Sequence, residues 1–141
     1  MSYSEGSNKK RSQKGFTLIE LLIVISIIGI MLTVSLPVSF AMYSRYTADL
    51  KVQEIMVYLS DMRLDSFLYS ESKIITSVND DLVINGNPKA FDDVRIRVDS
   101  PIEFYKNGTT SGGSIKLYAG DYIFNLQVEA PLGGLTVTAA G

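Results

Sequence analysis

The longest uncharged run in this chain limits what it can fold into. No charged residue occurs between Leu21 and Ser44, and eleven of the sixteen residues from Leu21 to Leu36 are Leu, Ile or Val. Taken from Phe16 to Leu36, the apolar segment would be about 31 Å long as a helix, which matches the hydrocarbon core of a bilayer. The sequence therefore predicts one membrane-spanning helix.

The charges around this segment predict its orientation. Residues 1–15 contain four basic residues and one acidic residue, whereas the whole chain has 13 basic and 15 acidic residues and a net charge of −2. Basic residues precede the apolar run and none follows it immediately, so the N-terminus is expected in the cytoplasm. The part after Pro37 would then be exported.

Composition excludes several functional classes. A chain of 141 residues can hold one domain, and 46% hydrophobic residues with a small net charge argue against disorder and a general nucleic-acid-binding surface. Histidine and cysteine are both absent, which excludes Ser/His and Cys/His nucleophiles, typical zinc sites and disulfides. Neither enzymatic activity nor a cofactor is expected.

Glu20 is the one charged residue inside the apolar run. Burying a carboxylate in a bilayer is costly, but the aliphatic residues around it supply enough insertion free energy to tolerate one acid near the interface. One interpretation is that Glu20 reaches up to the lipid headgroups. The other is that it pairs with a cation, and position alone leaves both open.

Two kinds of proteolytic processing fit the N-terminal region. A secretory signal peptide would be cut after the small-x-small sequence Ser39-Phe40-Ala41. The polar leader is long for such a signal, however, the apolar run exceeds the usual length, and a carboxylate lies inside it. The alternative cut precedes the apolar run, after Gly15.

The segment from Lys14 to Ile25, KGFTLIELLIVI, closely resembles the prepilin-type segment of type IV pilins and type II secretion pseudopilins. The resemblance implies that a prepilin peptidase cleaves between Gly15 and Phe16 and that the new amine of Phe16 is methylated. It also implies that Glu20 acts in filament assembly and that Pro37 kinks the helix. The resemblance is strong over residues 14–45 and weaker beyond them.

The chemistry of this resemblance can be argued from the residues. Cleavage would create a cationic amine on Phe16, and Glu20 lies four residues further along on the same face of a helix. The amine could pair with Glu20 of its own chain or with Glu20 of a neighbouring subunit. Because a desolvated carboxylate strongly prefers a paired site, such a contact could set the register of assembly.

Helical periodicity continues beyond the membrane segment. Pro37 is expected to cause a bend or a locally melted turn, after which the helix resumes. Apolar or small residues then recur at alternating spacings of four and three, which predicts one buried helix face: Ala48, Val52, Ile55, Leu59, Met62, Ser66 and Tyr69. A single long helix is expected from Phe16 to about Ser70.

From Lys73 onward the pattern changes to the alternation typical of strands. Strands are predicted at 74–78, 82–84, 94–98, 102–106, 114–119, 122–129 and 135–138, arranged as an antiparallel meander. The predicted fold is therefore α+β and pilin-like. Its regions are a cleaved leader (1–15), a transmembrane and assembly helix (16–37), an amphipathic helix (38–72) and an antiparallel β head (73–141).

Within the pilin-like families, residues 107–117 look like the hairpin of the H-type minor pseudopilins. This resemblance implies a minor pseudopilin of a type II secretion pseudopilus, anchored in the bacterial inner membrane with a periplasmic head. The implied partners are other pseudopilins or pilins, prepilin peptidase, an inner-membrane assembly platform and membrane lipid. The alternative is a minor type IV pilin acting in pilus assembly, adhesion, motility or DNA uptake. Nucleic acid is not an expected partner, because the charges of residues 106–141 balance.

Overall fold

The computed structural model describes residues 15–140, together with Ser2 and Gly6. A single helix, α1, spans Leu18–Leu68. The chain divides into two compact units between Phe40 and Ala41. The first contains the apolar part of α1, and the second contains the remainder of α1 and all the strands.

The apolar part of α1 is rich in isoleucine and valine, which are only moderate helix formers in water. In a membrane no water competes for the backbone groups, and a helix satisfies all of these groups within its own segment. The helical assignment is unbroken at Pro37. The expected locally melted turn is therefore wrong, while the bend at Pro37 stays a prediction.

The second part of α1 is amphipathic, as its periodicity predicts. Six of the seven predicted positions are buried, and they pack against the sheets: Ala48, Val52, Ile55, Leu59, Met62 and Ser66. The predicted burial of the seventh residue, Tyr69, is wrong, because Tyr69 is 72% exposed. The helix ends just before it, with Ser70 in the left-handed conformation (φ 53°) and the Glu71 N–H donating to the Ser66 carbonyl at 3.1 Å. This is a Schellman-type termination.

Eight strands follow the helix, and they form two antiparallel sheets of four strands each. The first sheet has the order β3-β2-β1-β5, and the second has the order β4-β6-β7-β8. The strands are β1 Lys73–Val78, β2 Asp81–Ile84, β3 Asn87–Lys89, β4 Val94–Val98, β5 Ile102–Phe104, β6 Gly113–Ala119, β7 Tyr122–Glu129 and β8 Gly134–Ala139.

The α+β class with an antiparallel β head is confirmed. All seven predicted strands are present, and their ends agree within one residue except that β5 ends two residues earlier than predicted. The single meander is wrong, because β4 pairs in the second sheet and β5 returns to the first, beside β1. β5 is nevertheless followed by a short hairpin, because Phe104 and Thr110 form an antiparallel bridge around the turn at residues 105–109, and the chain then continues into β6 of the second sheet.

Alternation along the strands builds the core that the helix covers. In β7 the side chains of Phe124, Leu126 and Val128 are buried while Gln127 and Glu129 are exposed. β4 follows the same rule, with Val94 and Ile96 buried between exposed arginines. In both strands of the second sheet, alternate side chains thus turn to the core while those between them face outward.

Candidate processing and assembly site

The predicted cleavage point lies just before α1. Residues 15–17 have no regular secondary structure, and Gly15 and Phe16 are both exposed, Phe16 by 89%. A side chain added at Gly15 would meet no atom within 4 Å. The fold of the described chain therefore does not require glycine at this position. Lys14 lies outside the described residues.

Thr17 and Glu20 close the start of the helix with two reciprocal hydrogen bonds. The Glu20 N–H donates to Thr17 Oγ1 at 3.2 Å, and the Thr17 N–H donates to Glu20 Oε2 at 3.3 Å. This arrangement is a capping box, in which each side chain satisfies a backbone N–H that the helix leaves unpaired. Glu20 is also the acidic residue of the first turn, where the helix dipole favours negative charge.

The capping box fixes where the Glu20 carboxylate lies. It accepts a hydrogen bond from the N–H of Thr17, which directly follows Phe16 in the chain. Peptide-bond cleavage after Gly15 would leave the new amine on the adjacent backbone nitrogen. The carboxylate is thus hydrogen-bonded to the backbone N–H one residue beyond the nitrogen that such a cleavage would free. The sequence analysis missed this contact, although Thr-x-x-Glu before an apolar run is its usual signal.

The apolar part of α1 is long and hydrophobic enough to cross a membrane, and it is the one such helix in the described part of the chain. Two of its hydroxyl groups donate within the helix: Ser26 Oγ donates to the Leu22 carbonyl at 2.7 Å, and Thr33 Oγ1 donates to the Ile30 carbonyl at 2.6 Å. These bonds remove the cost of placing a hydroxyl in lipid.

Two aspartates of the head, each next to a second aspartate in the sequence, form ion pairs with basic side chains. Asp80 Oδ1 lies 2.8 Å from Arg97 Nε, and Asp93 Oδ2 lies 3.2 Å from Lys51 Nζ. The hydrogen bond from Arg97 lowers the pKa of Asp80 below its usual value. Among residues 15–140, no three acidic side chains gather where they could hold a metal ion.

Comparisons with known proteins agree with this geometry. Residues 10–36 match the family model of the prokaryotic N-terminal methylation motif. A fimbrial protein of Pseudomonas aeruginosa is 29% identical over 120 residues, which cover 75% of each chain. The type IV major fimbrial protein FimA of Dichelobacter nodosus is 44% identical over 54 residues, or 38% of this chain and 32% of the relative. No solved structure matches.

The helix, the antiparallel head, the methylation motif and the fimbrial relatives together support a likeness to the type IV pilin family. The relatives are named as fimbrial proteins and not as enzymes, which suggests a non-enzymatic role. Their names favour a pilin and lend no support to the H-type pseudopilin assignment. The methylation motif and the apolar helix fit a single-pass, membrane-anchored pilin.

Proposed function

We propose that this chain is a structural subunit of a type IV pilus-like filament, made as a membrane-anchored precursor and cleaved between Gly15 and Phe16. The observation that carries the proposal is the position of Glu20. It is the only charged residue from Gly15 to Ser44, and the capping box holds it one residue away from the backbone nitrogen that cleavage would free.

Cleavage would change the electrostatics at the start of the helix. In the precursor, the Phe16 nitrogen is a neutral amide, and Glu20 is stabilised by the Thr17 N–H and the helix dipole. After cleavage, the same nitrogen carries a positive charge within reach of that carboxylate. The pair neutralises the acid inside the apolar segment, whether it forms within one chain or between neighbours. Processing thereby prepares the subunit for assembly.

Between the two kinds of filament, a surface pilus is the better supported. The relatives are named fimbrial proteins. The resemblance to H-type pseudopilins depended on residues 107–117, and the names of the relatives lend it no support. The absence of cysteine excludes a disulfide-closed loop, which favours a minor subunit over a major pilin stapled in that way.

A type II secretion pseudopilus remains the second candidate, and the same lack of cysteine favours it. In either filament, the proposed partners are the other pilin-like subunits, prepilin peptidase and the inner-membrane assembly platform. The proposed location is the inner membrane, with a cytoplasmic N-terminus and an exported head, until the subunit enters the filament.

Two measurements test this proposal. Intact-mass spectrometry of protein made beside prepilin peptidase should show a chain that begins at N-methylated Phe16. A chain beginning at Met42 would instead support a secretory signal peptide and refute the proposal. Deletion of the gene should reduce surface filaments in electron micrographs and leave the export of folded proteins unchanged. The opposite pattern would assign the subunit to a secretion pseudopilus.

A further inference from the structure

The two sheets have four edge strands among the described residues, and three of them are closed. An edge strand leaves every second residue with an unpaired N–H and C=O, which makes it a template for another chain. Proteins usually block such edges with loops, proline or charge. The edges here are β3 and β5 in the first sheet and β4 and β8 in the second.

The outer edge of β4 is closed because its outward N–H groups donate hydrogen bonds to the β1–β2 region and to a residue just before the strand. The N–H groups of Val94, Ile96 and Val98 point away from β6. They donate to the Phe91 carbonyl at 3.4 Å, the Asp80 carbonyl at 2.8 Å and Ser77 Oγ at 2.9 Å, respectively. No outward donor of this strand is available to a partner.

The first sheet is closed at both edges. On β5, Glu103 donates its N–H to Ser111 Oγ at 2.9 Å and accepts the Ser111 N–H at 3.0 Å. On the opposite edge, β3 is only three residues long and contains Pro88 and Lys89. A short strand with proline and lysine is a poor template for pairing.

The edge of β8 has none of these devices. The Ala140 N–H donates to the Ile123 carbonyl at 2.8 Å, so the even-numbered residues of β8 face β7. Leu135, Val137 and Ala139 therefore direct their N–H and C=O groups outward. No hydrogen bond to these outward groups occurs in the described part of the chain. From Pro131 to Ala140 there is also no charged residue.

We propose that β8 pairs with β8 of a second copy of this chain. The other three edges are closed, so β8 is the strand that a second copy has to offer. The pair would be antiparallel and centred on Val137, with Leu135 opposite Ala139 of the partner copy. This register uses the outward groups of all three residues in about six backbone hydrogen bonds. It also places Thr136 beside Thr138 of the partner copy.

The strand is complementary to itself in both charge and shape. It brings no like charges together, and Thr–Thr neighbours across strands are favourable. Because the same patch is used by both copies, the contact closes at two subunits and cannot extend into a filament. The proposed dimer is therefore distinct from the contacts that would build a pilus, and either proposal can fail without the other.

Cysteine cross-linking of the full-length protein in membranes tests the pairing directly. The chain has no cysteine, so introduced thiols are the only ones present. Oxidation of the double variant T136C/T138C should give a disulfide-linked dimer on a non-reducing gel. The matched control Q127C/E129C is also exposed but lies on the interior strand β7, and it should remain monomeric. Equal yields from both variants, or no dimer from T136C/T138C, would overturn the proposal.

Two further variants separate pairing from folding. Val137→Pro removes one outward N–H but no hydrogen bond to β7, so it should abolish the cross-link when added to T136C/T138C. Because proline can disturb β8 itself, a charge exchange provides an independent test. T136K/T138K should reduce co-purification of two differently tagged copies. T136K/T138E should restore it, because the introduced ammonium of each copy then lies opposite the introduced carboxylate of the other. Undiminished co-purification of T136K/T138K, or cross-linking of β8 to a different protein, would refute the self-pairing.

Discussion

Asp80 holds β4 of the second sheet through both its main chain and its side chain. Its carbonyl accepts the Ile96 N–H at 2.8 Å, and its Oδ1 accepts a hydrogen bond from Arg97 Nε at 2.8 Å. Asp80 lies in the turn between β1 and β2, in the left-handed conformation (φ 64°). The turn of one sheet is thus joined to the edge of the other by a single residue.

The ion pair predicts a pH dependence of stability. The hydrogen bond from Arg97 lowers the pKa of Asp80 in the folded protein. A carboxylate with a depressed folded pKa contributes stability at neutral pH, and this contribution is lost as the pH falls through the folded pKa. Asp80→Asn should therefore flatten part of the loss of thermal stability between about pH 5 and pH 2, measured by near-UV circular dichroism of the full-length protein in detergent.

Asp92→Asn is the control for this effect, because Asp92 makes no ion pair within the described residues. Asparagine tolerates the left-handed conformation as well as aspartate does, so Asp80→Asn should not strain the turn. Equal acid sensitivity of the wild type and Asp80→Asn would show that the pair with Arg97 contributes nothing.

The buried face of α1 predicts unequal effects for two residues only two positions apart. Leu59 is 0% exposed and Val57 is 60% exposed. Leu59→Ala should destabilise the head by about 2 to 5 kcal/mol, because it leaves a cavity against the sheets. Val57→Ala should change the free energy of unfolding by no more than about 0.5 kcal/mol. The two free energies of unfolding can be measured by denaturant unfolding of the full-length protein, followed by tyrosine fluorescence. Equal losses for the two variants would contradict the packing of Leu59 against the sheets.

Two glycines with positive φ provide a second matched pair. Gly112 (φ 73°) would place a Cβ 3.0 Å from the Val128 carbonyl oxygen and 3.1 Å from the Ala130 nitrogen, whereas Gly120 (φ 59°) faces open space. Gly120→Ala should cost about 1 kcal/mol for the left-handed backbone alone. Gly112→Ala should cost about 2 to 4 kcal/mol, because steric crowding adds to that strain. The same unfolding assay compares the two variants. A smaller loss of unfolding free energy for Gly112→Ala than for Gly120→Ala would be inconsistent with the crowded contact.

The sequence predicted local patterns well, because periodicity is a local property. The helix face from Ala48 to Ser66 followed from spacing alone. The exposure of Tyr69 was not predicted, because the left-handed residue that follows the helix end is a serine, Ser70, and not the more usual glycine. Strand β3 was missed because Pro88 disfavours a strand, except at an edge such as this one.

Sheet membership could not be predicted in the same way. Alternation identifies β4 and β5 as strands, but nothing local states that they belong to different sheets. That outcome depends on long-range pairing, such as β5 with β1 and β4 with β6. At the candidate site, Gly15, Phe16 and Glu20 were identified from the motif. The hydrogen bonds that position Glu20 became visible only with the structure, although Thr17 provided the signal.

The leader junction gives a prediction about processing. Gly15→Val should leave the precursor uncut in the membrane, because a branched side chain at the scissile position crowds the protease. A Cβ at this position contacts nothing within 4 Å, so the variant should insert and fold normally. Mass spectrometry and membrane fractionation measure the two effects separately. Normal cleavage of Gly15→Val would place the processing site elsewhere.

The last prediction separates two roles of Glu20, one as a helix cap and one as a charge. Glu20→Gln can keep the capping box, since glutamine also serves at this position, but it removes the charge. Glu20→Leu removes both. Thr17→Ala removes the hydroxyl that caps the Glu20 N–H and leaves the carboxylate, at a cost of about 1 kcal/mol to the helix terminus.

If Glu20 serves assembly through its charge, Glu20→Gln and Glu20→Leu should both reach the membrane and be cleaved, yet enter filaments poorly. Thr17→Ala should assemble nearly as well as the wild type. Membrane abundance, leader cleavage and recovery in sheared filaments measure the three steps at matched expression. If the capping box alone matters, Glu20→Gln should assemble normally and Thr17→Ala should show the defect. That outcome would refute the proposed pairing of Glu20 with the processed amine of Phe16.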